Sequence, residues 1–165
     1  MLILRLRNGE LLPAWSTVEV NGLERQYVSG KCGEVYVEFL KQKSNLAFGA
    51  YDSVSNTVLN SVGNVDFYCN GNTSVVLKLS LGNGPGASFY GGRRMRASGG
   101  NLLIYNIYTD SSHRHVLGDG TGGSVTLPVQ GKFGFSRAIY GSIPANQRGL
   151  SASSYSDLLV ITIVY

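Results

Sequence analysis

The stretch LLVITIVY, residues 158–165, is the clearest indication of fold in the chain. Its residues alternate so that one face of a strand would carry Leu159, Ile161 and Ile163, while the opposite face would also be largely apolar. Most of the run consists of β-branched side chains, which favour strands over helices. We therefore expect residues 158–165 to form a buried strand.

Similar alternation recurs outward from this stretch, in runs separated by clusters of Gly, Asn and Ser. These runs lie at residues 65–69, 75–81, 102–108, 125–127 and 133–140. Asn70-Gly71 follows the first run and is a pair typical of tight β-hairpins, so we expect the runs on either side of it to pair. No run has a sustained 3.6-residue period with helix caps. The pattern predicts an all-β, antiparallel Greek-key β-sandwich.

Composition argues against several classes of function. Charged residues make up only 15% of the chain and the net charge is +4, so no strong attraction to nucleic acid is expected. The one basic cluster, residues 93–96, is predicted to be a solvated turn. No apolar run approaches the roughly 20 residues of a membrane-spanning helix, so we expect no membrane insertion.

A change in composition near residue 44 suggests how the chain is divided. All five Glu precede residue 44 and all five Asp follow it. We interpret residues 1–31 as an N-terminal extension and residues 32–165 as the domain, with a lead-in strand at 32–43 and the sandwich body from 44 onward. The N-terminal apolar stretch is too short for a complete signal peptide, and charged residues interrupt it too early. An export leader would therefore have to precede this sequence.

Some motifs resemble nucleotide-binding or metal-binding sites, but the residues around them do not fit such sites. Residues 118–123, GDGTGG, fit a dinucleotide-binding pattern, but a strand-like segment with a proline follows where the mechanism needs a helix. His113 and His115 could share a strand face, yet no acidic or Cys partner lies at strand spacing, so we expect exposed histidines that bind no metal. No nucleophile with a base and an orienting group is apparent. We predict no catalytic, cofactor-binding or metal site and no enzyme activity.

The two cysteines, Cys32 and Cys69, allow one intramolecular disulfide. The alternative is two buried free thiols. The rest of the composition has an extracellular character, which favours the bridge. On the chain-entropy model a bridge over this loop would stabilise the fold by about 3–4 kcal/mol.

Several motifs, in order, resemble one known family. Residues 93–110, RRMRASGGNLLIYNIYTD, are similar to the spore coat protein U domain, which is shared with subunits of archaic chaperone–usher pili. Residues 46–52 resemble the opening strand of that family, 69–73 its second-cysteine turn and 118–123 its mid-domain turn, while 140–147 and 154–157 resemble its closing third. Cys32 fits the position of the first cysteine of the family, although its surroundings and the N-terminal extension are unusual.

The resemblance implies an immunoglobulin-like sandwich that lacks one strand, leaving an apolar groove beside unpaired backbone groups. In the family a periplasmic chaperone fills this groove, and the N-terminal extension of the next subunit later replaces it. Head-to-tail contacts of this kind do not close, so a fibre results. Leu159, Ile161 and Ile163 would then border the groove.

The resemblance also implies a location, partners and a role. We expect a secreted structural subunit that passes through the periplasm to a pilus or coat polymer on the cell surface, with a role in adhesion and biofilm formation. Its partners would be the chaperone, an outer-membrane usher and neighbouring subunits. The alternative is a tip adhesin whose loops bind a carbohydrate or an apolar surface.

Two segments of the extension are candidates for the donor strand. A donor must place alternate apolar residues in successive pockets. Leu2, Leu4 and Leu6 satisfy this rule over three positions. Val18 and Val20 satisfy it more briefly but lie nearer to Cys32, where the family has its donor. The sequence leaves both candidates open.

Overall fold

The structure is a computed structural model. It describes the backbone of residues 2–7, 17–18, 27–30, 33–36, 46–69, 72–132 and 135–164, and the side chains of residues 46–65, 74–130, 136–162 and 164. Twelve strands are formed within these ranges. They are β1 (Leu2–Arg7), β2 (Thr17–Val18), β3 (Tyr27–Gly30), β4 (Gly33–Tyr36), β5 (Leu59–Cys69), β6 (Asn72–Leu79), β7 (Arg93–Ala97), β8 (Leu102–Tyr108), β9 (Leu127–Lys132), β10 (Phe135–Ile143), β11 (Tyr155–Ser156) and β12 (Leu159–Val164).

The strands form two sheets, which pack as an immunoglobulin-like sandwich. The five-stranded sheet has the order β2-β1-β12-β6-β9, and the seven-stranded sheet has the order β11-β7-β8-β10-β5-β4-β3. Every strand pairing described is antiparallel except that of β1 with β12. The prediction of an all-β sandwich is confirmed, and no helix occurs in the described residues.

The core lies between the two sheets, because alternate residues of each strand point inward. β6 contributes Val75, Leu77 and Leu79, each at most 2% exposed. The other buried apolar side chains of this cluster are Val65, Leu103, Tyr105, Ile107, Leu117, Val129, Ile139, Ile143, Leu159 and Ile161. The run at 158–165 is thus the buried strand that its alternation predicts, within the described range of β12.

The structure corrects the expected hairpin at Asn70-Gly71. The strands on either side, β5 and β6, do not pair with each other but lie in different sheets. β5 pairs with β10, while β6 pairs with β12 and β9. Each strand therefore pairs with partners far away in sequence, and residues 70–71 between them lie outside the described ranges.

Two further expectations about local structure are wrong. The basic cluster at 93–96 is not a solvated turn, because Arg93 begins strand β7 and is fully buried. The segment resembling an opening strand, residues 46–52, belongs to no strand. Gly49 has a φ of +75°, a conformation outside the extended region, so the backbone turns there. None of the described residues forms a helix that is long and apolar enough to cross a membrane.

Candidate functional site

β12 lies in the middle of the five-stranded sheet, with one edge against β6. Ile161 is paired with Leu79, and the antiparallel ladder continues to Val164. One step earlier, the backbone N–H of Ser80 donates to Val160 O at 2.9 Å, and the N–H of Val160 donates to the Ser80 hydroxyl at 2.8 Å. This edge of β12 is therefore satisfied from within the sandwich body.

The other edge of β12 is covered by the N-terminal strand β1. The two strands are parallel, and the register runs from Leu2 opposite Leu159 to Arg7 opposite Val164. No strand from the described part of residues 46–164 occupies this edge. The body alone would thus leave β12 with an open edge, and an element from the N-terminal segment completes the sheet.

The residues predicted to border the groove lie along this edge. Leu159 is 9% exposed and Ile161 is 2% exposed, and both belong to the core. Ile163 occupies its place in the backbone of β12, while its side chain lies outside the described set. A role for these three residues in accepting a donor strand stays a prediction.

The structure brings the two candidate donor segments into the same sheet. Leu2, Leu4 and Leu6 occupy the register positions of Leu159, Ile161 and Ile163. Val18 belongs to β2, which pairs with the far side of β1 through Leu4↔Val18. Val20 lies outside the described residues. In this arrangement the first segment adjoins β12 and the second lies beyond it.

The predicted disulfide falls partly outside the described residues. Cys32 is not described, whereas the backbone of Cys69 ends β5 and pairs with Val35 of β4. Cys69 is therefore paired with the strand that follows Cys32 in sequence. The Cys32–Cys69 bridge, like the division of the chain at residues 31 and 32, stays a prediction.

A cleft of about 1110 Å³ opens between the two sheets beside the beginning of β12. Residues 46–53 form one wall and residues 150–157 another. Leu79 and Leu159 line it from the five-stranded sheet, and Tyr105 is among the side chains that line it from the seven-stranded sheet. The cleft meets the covered edge of β12 at Leu159, which pairs with the first residue of β1.

Glycines let the wall of this cleft pack closely against the seven-stranded sheet. A Cβ at Gly141 would come within 2.6 Å of both Leu46 Cδ2 and Phe48 Cζ. A Cβ at Gly63 would come within 3.4 Å of Leu46 Cδ1. A side chain at position 141 would thus clash with Leu46 and Phe48, so Gly141 lets this wall lie close to the seven-stranded sheet.

A buried tyrosine fixes the second wall of the cleft. The Tyr105 hydroxyl donates to Asp157 Oδ2 at 2.7 Å, and the N–H of Asn83 donates to Asp157 Oδ1 at 2.8 Å. Burial, together with the hydrogen bond to Asp157, raises the pKa of Tyr105 well above its usual range, so the hydroxyl stays protonated and donates. Asp157 thereby connects the segment before β12 to β8 of the seven-stranded sheet and to the loop after β6.

Sequence reasoning missed the most buried charge of the described chain. Arg93 donates from Nε to Ser80 O at 3.0 Å, from Nη1 to Asn106 Oδ1 at 2.9 Å, and from Nη2 to Leu117 O. Its guanidinium carbon lies 5.3 Å from the centre of the Phe89 ring. Burial lowers the pKa of Arg93 to about 10, so the group remains charged at neutral pH. A usable signal was the two-residue period, which places Arg93 on one face with Met95 and Ala97.

A second missed residue is Gln147, whose side chain makes the hydrogen bonds that a paired strand would otherwise make with the backbone of Ile104. The ladder between β10 and β8 ends at Ser142↔Asn106, and two positions further on the same register would place Pro144, which has no N–H to donate, opposite Ile104. Gln147 supplies the missing groups, because its Nε2 donates to Ile104 O and its Oε1 accepts from Ile104 N, both at 2.7 Å. The family-like stretch at 140–147 contains this residue, but the resemblance alone did not give it a role.

The two histidines do not share a strand face, and their surroundings differ from expectation. The loop after β8 is organised by Asp110, which accepts hydrogen bonds from Ser112, from Arg114 N at 3.2 Å and from His115 N at 2.9 Å. His115 Nδ1 also lies 3.2 Å from Asp110 Oδ2. His113 is only half-exposed and packs its ring 5.0 Å from that of Tyr108. Among the described side chains, no three metal-ligating groups lie together.

The glycine-rich stretch at 118–123 is a turn, as expected. The N–H of Ser124 donates to Thr121 O at 2.9 Å, and the Ser124 hydroxyl donates to the same oxygen at 2.7 Å. The N–H of Gly118 donates to Val125 O at 2.8 Å. These bonds close the turn on itself and leave no helix N-terminus to hold a pyrophosphate.

Comparison with known proteins agrees with this fold. A model of the Spore Coat Protein U domain matches residues 17–162, which is most of the chain. The chain belongs to the Spore Coat Protein U domain family. The family resemblance of its motifs is thereby confirmed.

This Spore Coat Protein U domain is also similar to a solved structure. The match is to a chain in the crystal structure of the CsuC–CsuE chaperone–tip adhesion subunit pre-assembly complex from the archaic chaperone–usher Csu pili of Acinetobacter baumannii. The TM-score is 0.52 at 17% sequence identity, a level that shows a shared fold. The match covers 76% of this chain and 38% of the other. Among curated proteins, none matches.

Proposed function

We propose that the chain is a structural subunit of a chaperone–usher pilus or a similar surface polymer, assembled by donor-strand complementation. It acts by binding other protein chains rather than by catalysis. Membership of the Spore Coat Protein U domain family supports this proposal. The fold shared with a chain of a chaperone–tip subunit complex is consistent with it.

The observation that carries the proposal is the edge of β12. β12 passes through the core at Ile161, which is 2% exposed with β1 in place, and the backbone groups on the second edge of this strand need partners. In the described part of the chain only β1, from the N-terminal segment, provides them. A sandwich whose central strand depends on an added strand suits a subunit that is completed by its neighbour.

This function implies that the subunit meets several partners in order as it moves from the periplasm to the cell surface. A periplasmic chaperone would cover the β12 edge before assembly, and an outer-membrane usher would exchange it for the donor strand of the next subunit. The polymer would lie on the cell surface, with a role in adhesion and biofilm formation. No cofactor, nucleic acid or membrane insertion enters this scheme.

Truncation with a returned peptide tests the proposal. A chain without residues 1–31 should bind a labelled peptide of residues 1–20 in a one-to-one ratio and stay monomeric, while the full chain forms polymers. Light scattering and electron microscopy measure size, and fluorescence anisotropy measures peptide uptake. A peptide with Leu4→Asp is the matched control and should not bind, because a charge would enter an apolar site. Fibres from the truncated chain would contradict the proposal.

A tip adhesin remains the second candidate because of one exposed aromatic residue. Tyr90 is 75% exposed, and its ring lies so close to Gly123 that an added Cβ would fall within 1.4 Å of it. An exposed aromatic ring that packs against a glycine is suited to stacking on a sugar or an apolar surface. If this candidate is correct, Tyr90→Ala should abolish adhesion of cells that still assemble normal pili.

A further inference from the structure

The pairing of β1 with β12 runs the full length of β12 and joins two segments of one chain. β1 covers all six residues of β12 and belongs to the same chain. By the alternation of a strand, the backbone groups of Val160 point toward β6, so those of Leu159, Ile161 and Ile163 point toward β1. β1 thus lies along the whole length of β12 on this side.

We propose that β1 closes its own subunit, and that it must leave β12 before a neighbour can donate a strand. This inference rests on the proposed function and adds a regulatory step to it. Two strands cannot pair with one edge at the same time, so β1 and an incoming donor exclude each other. In dilute solution the free subunit is therefore a closed monomer, and release of β1 controls its entry into the polymer that the concentrated full chain forms.

The outer side of β1 also favours a closed form. β2 pairs with β1 at only two positions, Leu4↔Val18 and Arg5↔Thr17, and it is the last strand of this sheet. A two-residue edge strand is a poor template for pairing with another chain, whereas a bare β12 would be an open one. With β1 and β2 in place, the described sheet exposes its shortest strand at this edge.

Tethering gives β1 an advantage over an identical free strand. A segment attached to the same chain acts at an effective concentration on the order of millimolar. To displace β1, a free peptide of the same sequence must reach this concentration, which is about 100-fold above a half-uptake of about 10 μM by the chain that lacks β1. The full chain should need about 100-fold more of the 1–20 peptide for half-uptake than the chain lacking residues 1–31.

Engineered cysteines test whether β1 closes its own chain and in which direction. In the variant Arg7→Cys with Val164→Cys the two positions are register partners, at a Cα separation that a disulfide accepts. The control, Arg7→Cys with Val160→Cys, uses a position four residues away, roughly 13 Å along the strand. Both valines are half-buried and share one face of β12, so the two variants are well matched.

Oxidation of dilute full-length protein, followed by disulfide mapping with mass spectrometry, gives the first result. A 7–164 bridge within monomers, with no 7–160 bridge in the control, is the expected outcome. A 7–160 bridge would show an antiparallel strand and overturn the proposal. Bridges that form only between chains would overturn it too, since β1 would then be donated by a neighbour, and so would the absence of both bridges.

The same variant then tests control of assembly. The oxidised 7–164 form should take up no 1–20 peptide and form no polymer, and reduction should restore both. Equal uptake by the oxidised and reduced forms would overturn the proposal. If the bridge forms but neither the reduced variant nor the chain lacking residues 1–31 takes up peptide, the closed monomer stands and the polymer function is what fails.

Discussion

At the scale of single residues, Arg93 connects three segments of backbone through one fully buried guanidinium group. Its acceptors are carbonyl oxygens of Ser80 and Leu117 and the side chain of Asn106. Asn106 in turn donates from Nδ2 to Phe89 O at 2.8 Å, which holds the loop before β7. A planar group with five donors suits acceptors that converge from several directions.

Arg93→Lys should therefore destabilise the protein although it keeps the charge. A lysine ammonium cannot reach all three acceptors, and each charge-assisted bond lost is worth about 1.5–3 kcal/mol. We expect a lower free energy of unfolding by about 2–4 kcal/mol, measured by urea denaturation. Arg96→Lys on the same strand is the control, because Arg96 is exposed. An unchanged urea midpoint for Arg93→Lys would show that the network contributes little.

Asp110 should resist protonation at pH values where ordinary aspartates titrate. The hydrogen bond from Ser112, together with those from the backbone of His115 and Arg114, holds the pKa of Asp110 well below its usual range. A depressed pKa in the folded state means that the loop is stabilised above the unfolded pKa, about 3.9, and loses this stabilisation as pH falls below it.

Carbon-detected NMR of the side chain measures this directly. The Asp110 carboxyl signal should stay constant from pH 6 down to about 3. In Ser112→Ala it should begin to shift at higher pH, since the largest cause of the depression is removed. A midpoint near the ordinary value in the wild type would contradict the assigned role of Ser112 and the loop backbone.

At the scale of elements, the sequence predicted strands better than their partners. β12 was evident because its β-branched residues favour a strand and their alternation gives that strand a continuous apolar face. β7 was missed because Arg93 looks like a surface residue until its three acceptors, which are distant in sequence, are known. The hairpin predicted at 70–71 was wrong for the same reason. A local turn signal does not show that β5 pairs with β10 and β6 with β12.

The site was predictable to a similar extent. The apolar positions of β12 and of both candidate donor segments follow from alternation. Their common sheet, and the parallel register that places Leu2 opposite Leu159, could not be derived from alternation, because pairing between the two ends of a chain leaves no local pattern. The close packing of one wall of the cleft depends on Gly141, whose role appears only when Leu46 and Phe48 are placed against it.

Gln147 offers a test of how a side chain can end a sheet. Gln147→Glu keeps the shape but removes the Nε2 donor, so the new carboxylate would face the carbonyl oxygens of Ile104 and Pro144. We expect a loss of about 1–3 kcal/mol in unfolding free energy, measured by thermal or urea denaturation. Gln130→Glu, the same change at an exposed position on β9, should have little effect. Equal effects of the two changes would rule out the strand-substitute role.

At the scale of the whole molecule, β12 joins parts of the chain that are far apart in sequence. It pairs with β6 on one side and with β1 on the other, and its buried side chains face the seven-stranded sheet across the core. Ile161 lies at the centre of this arrangement, opposite Leu79 in one ladder and opposite Leu4 in the other. A disruptive substitution at Ile161 would therefore disturb the packing between the two sheets and the pairing with β1 at the same time.

Ile161→Asp should therefore prevent folding rather than merely weaken assembly. The change places an unpaired carboxylate at a position that is 2% exposed, and the cost of a buried, unpaired charge is comparable with the whole stability of a domain, about 5–15 kcal/mol. Thr162→Asp is the matched control, because Thr162 is half-buried and alternation directs its side chain to the opposite face of β12. Soluble yield, circular dichroism and thermal unfolding measure the outcome. If Ile161→Asp gives soluble protein with an unchanged melting temperature, β12 is not part of the core, and the dependence of the fold on its covered edge is disproved.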